Sequence, residues 1–159
     1  EKADLFDFHC YESVDKIRGY LKALDEKDAL DVPLLYSGDT AVKYKAGQPV
    51  NFSECGGIGL GEDVEDSTSE VNEGAVRCEN HWGYGKTETR AQAFLKRYAE
   101  LISAIYEGKK LSGFCYTQLY DVEQEVNGFY EYNRKDKFSE EEKNMIREIT
   151  FGKQKENLI

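Results

Sequence analysis

The stretch NFSECGGIGLGEDVED, residues 51–66, puts a lone glutamate, Glu54, where an alternating apolar strand runs into a glycine pair. Glycine admits positive φ and close backbone approach, so the chain can turn sharply there and present Glu54 at the strand tip. A carboxylate at the C-terminal end of a parallel strand stands where α/β folds carry catalytic side chains. The same pattern also fits a solvated strand end, and this stretch alone leaves both readings open. Other reactive groups are sparse. His9 and His81 are far apart in the sequence and form no ligand cluster. Of the four cysteines, Cys10, Cys55, Cys78 and Cys115, no two have CxxC spacing, so a structural zinc is not expected. No metal or cofactor is expected from the sequence.

The bulk composition narrows the class. A chain of 159 residues with 40% hydrophobic and 13% aromatic content is long and apolar enough to build a core. Its formal net charge is −10, from 31 acidic against 21 basic residues. No basic cluster exists to displace counterions from phosphates, which argues against a nucleic-acid partner. No apolar run approaches the roughly 18 residues of a membrane span, so no membrane partner is expected. The opening EKADLFDFHCYES lacks the basic and apolar regions of a signal peptide. Three of the cysteines fall in or at the ends of expected strands, as suits small buried thiols in a reducing compartment.

The elements that must position Glu54 follow from periodicity. LFDFHCY (5–11) reads as a first strand. In the helix expected over 12–26, Val14, Ile17, Leu21 and Leu24 share one face, with Ser13 as an N-cap. PVNFSE (49–54) is a second strand, punctuated by Gly47 and Pro49. Residues 61–86 read as a long acidic loop. A helix is expected over 87–107, capped by Thr87 and stopped by Gly108, with Phe94, Leu95, Tyr98, Leu101, Ile102 and Ile105 as its apolar stripe. LSGFCYTQL (111–119) is a third strand. A last helix over 139–155 opens on Ser139 and Glu142, a capping box. Strand–helix alternation of this kind implies parallel pairing with right-handed crossovers. An edge of a doubly wound sheet and part of a (β/α)8 barrel both satisfy it.

The phrase GFCYTQLYDVEQEVNGFYEYNRKDKF (113–138) resembles the last barrel strand and following loop of glycoside hydrolase family 2, the β-galactosidase and β-glucuronidase family. DFHCYES (7–13), SECGGIG (53–59) and HWGYGKTET (81–89) resemble further motifs of that family in the same order. The resemblance implies an α/β fold, the C-terminal portion of a (β/α)8 barrel, about strands six to eight with their helices. The whole of 1–159 would then be one partial catalytic domain, with the N-terminal half of the barrel absent. It implies a retaining β-glycosidase acting on terminal β-linked sugars, β-galactosides foremost, with Glu54 as nucleophile and Tyr11 hydrogen-bonded to it. The family's acid/base glutamate lies in an Asn-Glu pair ending strand four, and nothing here precedes strand six. Glu12, Glu123 and Glu125 match other positions or none. The chain by itself is therefore expected to be inactive, and a non-catalytic carbohydrate-binding or assembly role is the alternative. With the resemblance to bacterial members, a cytoplasmic bacterial location is expected.

Further candidates surround Glu54 in this reading. His9 lies two residues before Tyr11 on the same strand face and suits either a sugar contact or a satisfied core position. Trp82 can stack on a sugar ring or plug its glycine-flanked loop. Tyr116 takes the strand-eight place where some family members carry a Trp beneath the sugar, and Gln118 and Asp121 follow at the strand end. Phe6, Val50 and Phe114 are expected on an apolar inner face left uncovered. The predicted partners are a carbohydrate substrate and a second copy of the chain, or the missing part of the barrel, covering the open strand edges.

Overall fold

The computed structural model describes residues 4–32, 43–61, 76–78 and 81–153. Its elements run β1 (Phe6–Cys10), α1 (Val14–Lys27), β2 (Val50–Gly56), β3 (Val76–Cys78), β4 (His81–Gly83), α2 (Ala91–Glu107), β5 (Leu111–Thr117) and α3 (Glu140–Thr150). The first sheet is parallel and three-stranded in the order β1-β2-β5, so β2 is its centre. β3 and β4 pair antiparallel as a separate ribbon, Val76 opposite Gly83 and Cys78 opposite His81. That ribbon lies within the stretch expected to be loop. At three residues each, its strands are too short for a period of two to show in the sequence.

This architecture corrects the expected fold class. The described residues do not make a portion of a closed (β/α)8 barrel. They make a small α/β arrangement with one three-stranded parallel sheet and three helices. Strand–helix alternation specifies parallel pairing and crossover hand, but closure depends on strand number, tilt and shear, which alternation does not encode. No helix among the described residues is long and apolar enough to cross a membrane.

The chain divides into two compact units, Glu1–Cys55 with Ser103–Tyr116, and Gly56–Ile102 with Thr117–Ile159. In the first, Phe6, Phe8 and Cys10 of β1 and Val50, Phe52 and Cys55 of β2 are buried, as are Ile17, Leu21 and Leu24 on one stripe of α1. Phe8 and Phe52, register partners, stack with ring centroids 4.4 Å apart. Burying such a ring stabilises by about 1.5–3 kcal/mol. Phe6 and Val50 are thus core residues rather than an uncovered apolar face, and Phe114 packs edge-on against Tyr106 of α2. Ser13 stands at the N-cap of α1 in extended geometry, without a side-chain capping bond. Asp28 ends that helix in the left-handed region and accepts hydrogen bonds from the Tyr44 hydroxyl at 2.8 Å and Lys110 Nζ at 3.0 Å.

The second unit is built on aromatic contacts. Phe94 lies 5.0 Å from Phe138, and Tyr98 meets Phe129 edge-on at 5.4 Å. The Tyr98 hydroxyl pairs with Thr150 Oγ1 at 2.8 Å. α3 carries the expected capping box: the Glu142 amide donates to Ser139 Oγ and the Ser139 amide to Glu142 Oε2. α2 begins at Ala91 rather than near Thr87, because Glu88 forms a bridge with Leu60. The Glu88 amide donates to Gly59 O at 2.7 Å, and the Gly61 amide to Glu88 O at 3.0 Å. Backbone engaged in that bridge is not available for a helical turn.

Candidate active site around Glu54

Glu54 reaches its position through an irregularity in β2. Phe6, Asp7 and Phe8 pair with Val50, Asn51 and Phe52, but His9 pairs with Glu54 and Cys10 with Cys55. Ser53 is therefore an extra residue on β2, and the register shifts between Phe8 and His9. Side chains alternate strictly along a regular strand. Without the extra residue, Glu54 would share the face of Phe52 and Val50, which is buried. The bulge moves Glu54 to the face of Asp7, His9 and Asn51 and returns Cys55 to the core. Ser53 Oγ donates to Phe8 O at 3.5 Å across the irregularity. Gly56 and Gly57 follow at φ 98° and 60°, the left-handed region that a side chain disfavours, so the chain can leave the strand at once.

Both oxygens of Glu54 are held from β1 and the residue after it. The Tyr11 hydroxyl donates to Oε1. His9 Nδ1 stands 3.0 Å from Oε2. The Glu54 side chain nevertheless keeps 33% of its exposure, so the carboxylate is oriented but open. Continuing along the face, Asp7 Oδ2 lies 4.0 Å from His9 Nε2, and Asn51 Nδ2 donates to Asp7 Oδ1 at 3.2 Å. A carboxylate fixed by two donors on a strand, with one side toward solvent, suits nucleophilic attack or general-base work. Sequence reasoning missed Asp7 and Asn51. The D-x-H-x-Y spacing carries the first, since positions 7, 9 and 11 share a face. Nothing in the sequence marks the bulge.

Tyr116 is half-buried and follows Phe114 by two residues, so the two share a face of β5. Gly113 lies on the other face of β5: a Cβ there would stand 3.3 Å from Asn51 Oδ1. The structure thus unites Tyr11, His9 and Glu54 and sets Tyr116 on the side opposite Gly113. The Trp82 side chain lies outside the described residues, as does the whole acidic run 62–73.

Gln118 and Asp121 belong to the second unit and are engaged within their own loop. Gln118 Nε2 donates to Asn127 Oδ1 at 2.7 Å, and Asn127 Nδ2 to Glu125 Oε1 at 2.9 Å. Asp121 Oδ1 accepts from the Gly128 amide at 2.8 Å and from Lys137 Nζ at 2.6 Å. Lys137 also donates to Leu60 O and Val126 O. Both side chains of the Asp121–Lys137 pair retain 8% exposure. Burial pushes the Asp121 carboxyl above its usual range, partly offset by Lys137, and pushes the Lys137 ammonium below its own. Burial likewise raises the Cys10 and Cys55 thiols. Among the described residues no group of three His, Cys, Asp or Glu side chains is placed to hold a metal.

No family model matches this sequence, and no curated protein does. Among solved structures, the fold is similar to part of a β-glucuronidase from Faecalibacterium prausnitzii, with a TM-score of 0.51 and 11% identity. The match covers 93% of this chain and 22% of that one, so this chain spans about a fifth of the neighbour's length. At that identity the likeness is one of fold, to a segment of a glycosidase. A segment this short, with three parallel strands, also stands against the barrel portion expected above.

Proposed function

We propose that this chain carries the nucleophile of a retaining β-glycosidase related to glycoside hydrolase family 2, acting on terminal β-linked sugars, β-galactosides foremost. The observation that carries the reading is Glu54, held at both oxygens by Tyr11 and His9 and still open to solvent. Its setting at the SECGGIG strand end, where the family resemblance puts the nucleophile, supports it, as does the fold likeness to a β-glucuronidase segment. In the proposed reaction a Glu54 oxygen attacks the anomeric carbon, the glycosidic C–O bond breaks, and the leaving oxygen takes the bonding electrons and a proton. Water then releases the sugar from Glu54. The proton donor is a second carboxylate, about 5–5.5 Å from the nucleophile in retaining enzymes. By the family resemblance we assign it to a glutamate in an Asn-Glu strand end ahead of the first strand here, and not to Glu12, Glu123 or Glu125. Tyr11 holds the nucleophile in its attacking orientation.

An activated fluorosugar tests this directly, because its leaving group departs without a proton donor. Incubation with 2-deoxy-2-fluoro-β-D-galactosyl fluoride should attach one fluorogalactosyl group to the peptide containing Glu54, with fluoride released, and Glu54→Gln should remain unlabelled. Labelling at another carboxylate, or none over hours at millimolar reagent, would remove Glu54 from the role.

A further inference from the structure

We infer that Asp7 is a specificity-determining residue of the Glu54 site, selecting an uncharged sugar over a sugar acid. The inference rests on the reading of Glu54 as a glycoside-facing carboxylate. Asp7 lies two residues before His9 on β1 and so shares its face. The His9 ring stands between two carboxylates, Glu54 at 3.0 Å from Nδ1 and Asp7 at 4.0 Å from Nε2. Asp7 is tied on one side only, by Asn51 Nδ2 to Oδ1, and its side chain keeps 50% of its exposure. Oδ2 is thus turned along the face toward the imidazole and the water beyond it.

The neighbours on this face decide the sign of its field. From β1 and the residue after it come Asp7, His9 and Tyr11; from β2 come Asn51, Ser53 and Glu54; and from β5 comes Gly113 beside Asn51. None of these is lysine or arginine. Two carboxylates therefore face a ligand with at most one imidazole between them. Sugar hydroxyls donate hydrogen bonds, and carboxylate oxygens only accept, so a neutral ring can satisfy Asp7 without losing anything it had in water. A sugar carrying its own carboxylate brings a further negative charge onto a face whose described residues include no lysine or arginine to receive it. At separations of a few ångströms beyond contact, in a half-exposed setting, such repulsion corresponds to about tenfold in affinity.

The test is a ligand-observed NMR titration of the whole chain with two probes that differ only at C6, methyl β-D-galactopyranoside and the corresponding methyl galactosiduronate. The uronate's methyl ester, larger but uncharged, separates charge from size. At low ionic strength the wild type should bind the galactoside about tenfold more tightly than the uronate, with the ester close to the galactoside. Raising the salt to about 0.5 M should shrink that ratio, because exposed charges are screened. Asp7→Asn should shrink it at low salt and weaken its salt dependence to what the Glu54 charge alone supplies. Equal binding of galactoside and uronate by the wild type, or an unchanged ratio in Asp7→Asn, overturns the role of Asp7 and leaves the sugar-site reading standing. Binding of neither neutral probe overturns both. Where Asp7→Asn folds poorly, Asp7→Ser is titrated in the same way, and an unchanged ratio in that variant likewise overturns the role of Asp7.

Discussion

Glu54 and Asp121 are both acidic residues at or just beyond the C-terminal end of a parallel strand, and the structure treats them in opposite ways. Glu54 is oriented by Tyr11 and His9 yet stays one-third exposed. Asp121 is buried, and its Oδ1 is taken by the Gly128 amide and by a Lys137 ammonium that also ties down two backbone carbonyls. A buried charge must be fully partnered to be tolerated, and full partnering leaves nothing with which to meet a substrate. A catalytic carboxylate needs the reverse: enough donors to fix its direction, and one open approach. The same residue class at the same kind of address is an anchor in one unit and a reactive candidate in the other.

The largest separation between the two should come from neutralising each in turn. In the proposed glycosidase with its proton donor present, Glu54→Gln should lower turnover of a chromogenic β-galactoside by at least about a hundredfold, as loss of a nucleophile does. Its melting temperature should barely move, because the amide keeps the shape of the carboxylate and its oxygen still accepts a hydrogen bond at this part-exposed position. An active variant would collapse the contrast. Lys137→Met should do the opposite, costing about 3–5 kcal/mol of stability by stranding Asp121 and the Leu60 and Val126 carbonyls. That loss should shrink on acidification. Removing Lys137 removes what holds the Asp121 carboxyl down, so its folded pKa rises further above the unfolded one. Stability from such a group is present below the unfolded pKa and is lost as pH rises through the folded value. Denaturant melts of the variant at about pH 4 and pH 7 check this; a penalty larger at acid pH would show that the pair is not what the lysine serves.

Smaller changes sharpen the picture at Glu54 itself. Tyr11→Phe removes a hydrogen bond to a charged oxygen, for which about 1.5–3 kcal/mol is typical. Turnover and fluorosugar labelling should fall by about tenfold or more, and the melting temperature by several degrees; unchanged labelling would reduce Tyr11 to a packing residue. The sheet offers the mildest test. Cys115 is exposed whereas Cys10 and Cys55 are buried with raised thiol pKa values, so their reactive thiolates are disfavoured. Native alkylation at about pH 8, followed by peptide mass spectrometry, should modify Cys115 before Cys10 and Cys55. Early modification of Cys55 would mean that β2 opens more readily than its buried face implies.

Several features were legible in the residues alone. The alternation of Phe6, Phe8 and Cys10 with Asp7 and His9 announces β1 and its two faces. The spacing of Ile17, Leu21 and Leu24 announces the buried stripe of α1. Ser139 with Glu142 announces the start of α3, because a capping box is made by residues three apart in one turn and needs no tertiary partner. Glu54 could be singled out from its glycine pair and family-like motif. Its direction could not. One unpaired residue, Ser53, decides whether Glu54 points into the core or out beside His9, and a bulge exists only relative to the strand it fails to match. Nor could the sequence separate Asp121 from Glu54. Lys137 lies sixteen residues further on, and only the folded loop brings its ammonium and two carbonyls to one point. The extent of the sheet was equally out of reach. Periodicity describes each strand by itself, while how many strands meet, and whether they close, depends on pairing between segments far apart in the chain.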